Sequence, residues 1–255
     1  MSPEPDVGRA VSSTIGRRGP IAAGGDGTAR EVIAGLVGTP VRLGLLPLGS
    51  AMNTVRALGI PQDLVEAVRL VQRAERVERI DVGTVAGETL VEAGGVGVSA
   101  GVFHLLCSID SGRWDRVRTL ITYLRRTRST RVTLETDGRQ REYRTLSLIV
   151  ANAPYTGARV TIAPGALMND ALYDVKVFLS RTKVQLAASW LRLILGRGER
   201  LPRVAELRAR TVKVTARRPL LVHADDVLVG RTPATFELLP AAVTVIAGPR
   251  APGLD

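Results

Sequence analysis

Five residues, Gly24-Gly25-Asp26-Gly27-Thr28, separate a short apolar run from a helical pattern at residues 29–37, and no other stretch constrains this chain as strongly. Three glycines around one carboxylate let the backbone pass close to a bulky anion with its N–H groups exposed, which suits a phosphate. Thr28 is expected to cap the following helix through its hydroxyl, with Glu31 three residues on completing a capping box, so that the positive end of the helix faces the same anion. A tight strand-to-helix turn that needs glycine for geometry alone is the alternative.

The flanking pattern favours the phosphate. Residues 20–23 read as a short buried strand, residues 29–36 as a helix with Val32, Ile33 and Leu36 on one face, and residues 41–47 as the next buried strand. Strand, glycine loop, helix and strand make a parallel α/β unit, whose ligands bind where the carboxyl ends of the strands meet the helix starts. At that end of the second strand, Gly49, Ser50 and Asn53 offer a second cluster of small polar groups, followed by Arg56 and an amphipathic helix at residues 63–73. Two such loops at one sheet edge imply a nucleotide cleft. The first lysine is Lys176, which excludes a lysine-bearing Walker loop, so phosphates fall to backbone N–H groups, hydroxyls, Arg56 or a metal ion.

Charge divides the chain. The net charge is +11, and residues 1–80 carry ten arginines against eight acids, so most of the excess lies beyond them. An anionic surface is the implied partner of that later region. Nucleic acid is not, because aromatic residues make up 4% and do not alternate with the arginines as a stacking surface would require. The single cysteine, Cys107, excludes an internal disulfide and a cysteine-based metal cage and reads as a small core residue. Without a long uncharged apolar run or a signal-peptide layout, the expected location is cytoplasmic.

Residues 1–18 read as a frayed start. From Arg79 onward the rhythm changes to a hairpin at residues 80–93, a glycine-rich bend at 94–101, and short strands at 131–135, 143–152, 160–163, 173–178, 211–215, 220–224, 235–238 and 242–247. Many short strands with regular turns predict a β-sandwich as second domain. The fold class is therefore α/β: a Rossmann-like parallel α/β domain over residues 1–79, and a β-sandwich domain over residues 80–249. Two amphipathic helices, residues 115–126 and 183–195, either cover their own core or lie on an anionic membrane.

Together these residues resemble the diacylglycerol kinase catalytic family of bacterial lipid kinases, which is also similar to sphingosine kinases. The likeness runs from Gly24-Gly25-Asp26-Gly27-Thr28 and Glu31, through the segment from Pro47 to Gly49, Ser50, Asn53 and Pro61, to Gly95-Val96-Gly97, Ile162-Ala163-Pro164-Gly165-Ala166, Asp170, Asp174 and Ala224-Asp225-Asp226. It implies ATP-dependent phosphorylation of a lipid hydroxyl with Mg2+, at the inner face of an anionic membrane. Gly24, Gly25, Asp26, Gly27, Thr28, Glu31, Gly49, Ser50 and Asn53 would bind the nucleotide, with Asp26 contacting magnesium or water. Asp225 would be the base, reaching across an interdomain cleft. Asp170 and Asp174 would hold a second magnesium ion.

Some positions depart from the family pattern. Val227 stands where a glutamate is usual, Asp226 replaces a glycine, Ala171 replaces another glycine, and Ser99 stands where many members have an aspartate. Only 23 residues precede Gly24, so the first domain is expected to lack an edge strand and part of its phosphate cradle, and the open edge is a site for a homodimer. The alternatives are a catalytically weak lipid- or nucleotide-binding homologue and an NAD kinase-like enzyme.

Overall fold

A computed structural model describes residues 19–103, 114–157, 159–195, 201 and 203–249. The frayed start expected at residues 1–18 and the core role expected of Cys107 lie outside these residues. The chain divides into two compact units, residues 1–80 with 241–255, and residues 81–240.

The first unit is built on parallel strands. β1 (Ile21–Gly24) pairs with β2 (Arg42–Pro47) from Ile21 opposite Gly44 to Gly24 opposite Pro47. α1 (Asp26–Leu36) connects them, and α2 (Asn53–Ala57) and α3 (Leu64–Arg73) follow β2. Ile33, Leu43, Leu45, Ala67 and Val71 form its buried interior. Gly44 has no side chain because Val71 Cγ1 lies 2.9 Å from where a Cβ would stand, so α3 seats directly on the strand. Asp63 begins α3 by accepting the Glu66 N–H at 2.9 Å. The last strand of the chain, β16 (Ala234–Ile246), ends here, running parallel to β2 with Thr244 opposite Arg42. Gly248 then donates to Leu58 O, and its carbonyl accepts from Arg76 Nη1. Gly59, at φ +65°, leaves room for this return, because a Cβ there would meet Pro249 O at 2.2 Å.

The second unit is antiparallel and two-layered. One layer contains β13 (Thr211–Ala216) between the first half of β16 and β6 (Thr130–Thr136), with β7 (Arg139–Thr145) beyond. The hairpin of β3 (Val77–Val85) and β4 (Glu88–Leu90) lies off this path. The other layer has the order β12 (Val204–Ala209), β11 (Tyr173–Phe178), β8 (Ser147–Ala151), β5 (Ala93–Gly97), β14 (Leu221–Ala224) and β15 (Val227–Arg231). Between the layers lies one core, with Val132, Leu134, Val214 and Phe236 packed with Val96, Leu148, Val150, Val175 and Val222. Truncating a side chain such as Phe236 there would cost about 3–5 kcal/mol. On the outer face of the second layer, α5 (Lys183–Ile194) packs Leu186 and Leu193 against Ile149, Ala151 and Phe178, and Leu124 of α4 (Trp114–Arg126) joins them.

The sandwich expectation is met, with three differences in its strands. The run 143–152, read as one strand, is two strands in different layers. The chain crosses at Leu146, where Thr145 Oγ1 donates to Phe178 O at 2.6 Å and accepts the Ser147 N–H at 3.0 Å. Conversely, runs 235–238 and 242–247 form the single β16, which bends at Ala241, φ +50°. β12 and β15 were not foreseen. At the C-terminal end, residues 241–249 belong with the first unit, because β16 completes its strand in the parallel sheet there.

Candidate functional site

In the first unit the two glycine loops meet. A Cβ on Gly49 would stand 2.4 Å from the Gly25 Cα, and Leu48 N–H donates to Gly24 O at 3.2 Å. A side chain on Gly49 would run into the Gly25 backbone, so this position needs glycine for the two loops to touch, whereas a Cβ on Gly25 would stand 3.4 Å from the Gly49 Cα, an ordinary contact. Asp26, the first residue of α1, ties the loops together. Its Oδ1 accepts the Thr54 N–H at 3.0 Å, inside the first turn of α2. Its Oδ2 has no hydrogen-bond or ion-pair partner among the described residues. Asn53 and Thr54 are buried at this junction, and Met52 precedes them in the left-handed conformation, φ 53°, which turns the chain into α2.

The capping expectation is corrected. α1 starts at Asp26 with Gly25 as its N-cap, and no side chain caps it. Gly25 is extended, at φ −91° and ψ −170°, so the helix begins at the next residue and Thr28 already lies inside its first turn. The Thr28 side chain folds under Gly24, where a Cβ would stand 2.6 Å from its Oγ1. Glu31 is exposed and makes no capping bond. The N-terminal N–H groups of α1 are therefore not consumed by a side-chain cap, the condition an anion site requires.

In the second unit, Asp225 sits in the β14–β15 turn at φ +42°. Its carboxylate is buried and accepts three backbone N–H groups: Val91 on Oδ2 at 2.7 Å, and Glu92 and Ala93 on Oδ1 at 2.9 and 3.0 Å. Three of about four acceptor positions are thereby filled by backbone donors that keep residues 91–93 in one shape. Asn152 supports the same segment, donating from Nδ2 to Asp81 O and Val91 O. His223 Nδ1 lies 2.8 Å from Asp225 O, and Phe103 stacks on its ring at 5.0 Å. The Tyr173 hydroxyl donates to Glu237 O at 3.0 Å, and burial, with the Asp225 charge second, pushes this phenol far up and keeps it protonated. His223 and Asn152 were not singled out from sequence; a polar residue inside an apolar strand run was the available signal.

Ser99, expected as a gap in the acidic network, donates to Val96 O and Leu148 O at 3.2 Å each and anchors helical residues 98–103 to the sheet. Asp226 is exposed at the turn, and Val227 opens β15.

Asp170 and Asp174 do come together, around Arg208. The guanidinium pairs with Asp170 through Nη2 and approaches Asp174 Oδ1 at 3.5 Å through Nε; Arg208 is the direct cross-strand partner of Asp174. Leu172 N–H adds a bond to Asp170 Oδ1 at 3.1 Å. Burial raises the Asp174 carboxyl above the usual range, Arg208 opposes the shift, and Asp170 adds to it. The described residues hold no group of three or more His, Cys, Asp or Glu able to bind a metal. A cationic side chain thus already stands between the two carboxylates, while Asp174 Oδ2 is buried without a hydrogen-bond partner among the described residues.

Residues 7–85 match the family described as diacylglycerol kinase catalytic domain, and residues 108–247 match the YegS C-terminal NAD kinase beta sandwich-like domain. The diacylglycerol kinase of Bacillus subtilis is 28% identical over 229 residues, covering 85% of this chain and 73% of that protein. A Pseudomonas putida protein named "Probable lipid kinase YegS-like" is 30% identical over 230 residues, covering 88% and 75%. Among solved structures, a diacylglycerol kinase from Bacillus anthracis superposes with a TM-score of 0.68 at 24% identity over 90% of this chain and 76% of that one, which speaks for the fold. With both halves matched in order and a relative at 30% identity across most of its length, the chain belongs to the diacylglycerol kinase and YegS-like family of lipid kinases.

Proposed function

We propose that the chain transfers the γ-phosphoryl group of ATP to the hydroxyl of a lipid of the diacylglycerol or sphingoid class, at an anionic membrane surface. The observation that carries this is the contact of Gly25 with Gly49, held by Asp26 on the Thr54 N–H, at the uncapped start of α1. Phosphoryl transfer asks the protein mainly for positioning and charge stabilisation. On this reading residues 24–28 and 49–53, with Gly24, Gly27, Ser50 and Asn53 among them, cradle the phosphates through backbone N–H groups and short polar side chains. Magnesium arriving with ATP would neutralise charge on the transferring group, and Asp26 Oδ2 is the donor this loop pair offers it, directly or through water.

The lipid hydroxyl oxygen attacks the γ-phosphorus, the bond from that phosphorus to the β,γ-bridging oxygen breaks, and ADP leaves. The hydroxyl proton departs late in a loose transition state and passes to Asp26 through a bound water. Asp225 is assigned a positioning role, because its charge strengthens the three N–H bonds that hold residues 91–93, and protonating it would weaken them.

The test is transfer of label from γ-labelled ATP to mixed vesicles of diacylglycerol and sphingoid base. Labelled lipid that disappears with Asp26→Asn supports the enzyme. Lipid binding without transfer supports the weak homologue, a reading favoured by Ser99 and Val227 standing in for two acids. Transfer to a soluble dinucleotide alone would support the NAD kinase-like alternative.

A further inference from the structure

α5 carries apolar side chains on two opposite faces. Leu186, Ser189 and Leu193 are buried against the outer layer of the sandwich. On the reverse, Val184 is 79% exposed, Leu191 56%, Ile194 63% and Leu195 59%. At about 100° per residue, 184, 191 and 195 fall within about 40° of one another, roughly opposite 186 and 193, and 194 lies about 60° further round. A helix that only roofs its own core shows a polar outer face. Single exposed hydrophobics are ordinary, but four in one stripe of a twelve-residue helix and its cap are not.

The borders of the stripe are cationic. Lys183 flanks it on one side and Arg192 on the other, Arg181 precedes the helix, and residues 181–195 contain no acid. Lys183 Nζ also donates to Arg125 O at 2.6 Å, which brings the last turn of α4, with exposed Arg125 and Arg126, beside the start of α5. Helix α4 adds Ile121, 42% exposed. An apolar wedge bordered on both sides by cations whose long stems can reach past it suits the boundary of an anionic bilayer. A second copy of α5 would bring the same uncompensated cations face to face across a two-fold axis, so charge complementarity favours lipid.

We propose that the outward stripe of α5 seats the protein on anionic phospholipid, with Leu191 and Ile194 entering the acyl boundary and Lys183, Arg192 and the end of α4 meeting the headgroups. Its occupant follows from the lipid-substrate reading above, whereas the stripe and its charges do not depend on catalysis.

The experiment is co-sedimentation of the full chain, without ATP, with vesicles of phosphatidylcholine alone or with one third phosphatidylglycerol. The chain is expected to bind only the anionic vesicles. Leu191→Gln with Ile194→Gln should reduce partitioning tenfold or more, and Arg192→Glu about fivefold or more, the latter with a weaker dependence on salt. The thermal midpoint of both variants should stay that of the parent, since these side chains are exposed. Unchanged partitioning of the double variant overturns the proposal, as does loss of a parent dimer in that variant without vesicles, which would make the stripe a self-interface. Turnover on a short-chain, water-dispersed diacylglycerol separates the two readings: the double variant should keep it while losing vesicle binding, and absence of turnover in the parent would count against the kinase reading alone.

Discussion

Asp26, at the start of α1, and Asp225, in the β14–β15 turn, are both aspartates just beyond a strand end, yet the chain uses them in opposite ways. Asp26 is half-buried, gives one oxygen to the Thr54 N–H, and keeps the other without a partner among the described residues. Asp225 is buried and gives its carboxylate to three backbone donors at once. A carboxylate meant to meet a substrate must keep acceptor capacity, whereas one that holds a loop spends it. On the function proposed above, the difference assigns chemistry to Asp26 and support to Asp225.

Exchanging each acid for its amide breaks or confirms that division. Asp26→Asn retains an oxygen for the Thr54 N–H, so thermal unfolding should move little, while lipid phosphorylation should fall a hundredfold or more, about 3 kcal/mol of barrier. Asp225→Asn puts an NH2 group against backbone donors, and the expected loss is about 2–3 kcal/mol of stability, read as a thermal midpoint lower by about 5–10 °C. If Asp225→Asn instead abolished transfer with its melting curve intact, Asp225 would be the base and its latch secondary.

The glycine contact comes next. Gly49→Ala places a Cβ 2.4 Å from Gly25 Cα, and neither backbone can step aside without moving a strand end. The expected cost is about 1–3 kcal/mol, with at least a tenfold weakening of ATP binding by titration calorimetry. Gly35→Ala, where nothing lies within 4 Å, is the control and should be neutral or stabilising.

The smallest effect concerns Arg208. Its side chain is 47% exposed, so solvent screening limits Arg208→Gln to about 1 kcal/mol or less. The parent melting curve should be indifferent to chelator or added magnesium, and the variant's should become responsive. The sign with pH is also fixed: the folded Asp174 carboxyl titrates above its unfolded value, the folded state binds more protons between the two, and that part of stability is lost as pH rises through the window. Removing Arg208 takes away the effect that opposes the shift, so the variant should be more stable relative to parent at acid than at neutral pH.

Much of this was legible in the residues. Glycine spacing and alternating strand and helix patterns identified β1, α1, β2 and the convergence of the two loops, because backbone close approach leaves a mark in composition. Thr28 was misread as a cap because a hydroxyl three residues before a glutamate fits the pattern, while the extended backbone of Gly25 starts α1 earlier. The split of residues 143–152 into β7 and β8 was hidden because apolar content continues through Leu146 as the chain changes layers. Arg208 could not be paired with Asp174 from sequence, since the pairing depends on the β11–β12 register and β12 itself was missed. The three donors to Asp225 are backbone groups 132 to 134 residues away, which no side-chain pattern reports.

The most direct measurement is a crystal structure of the chain with a non-hydrolysable ATP analogue and magnesium. Phosphate oxygens within hydrogen-bond distance of the backbone N–H groups of residues 25–28 and of the 49–53 loop, with Asp26 Oδ2 facing the metal or its water, are the predicted result. An ordered analogue bound elsewhere, with Gly25 and Gly49 still in contact and their amides untouched, would contradict it.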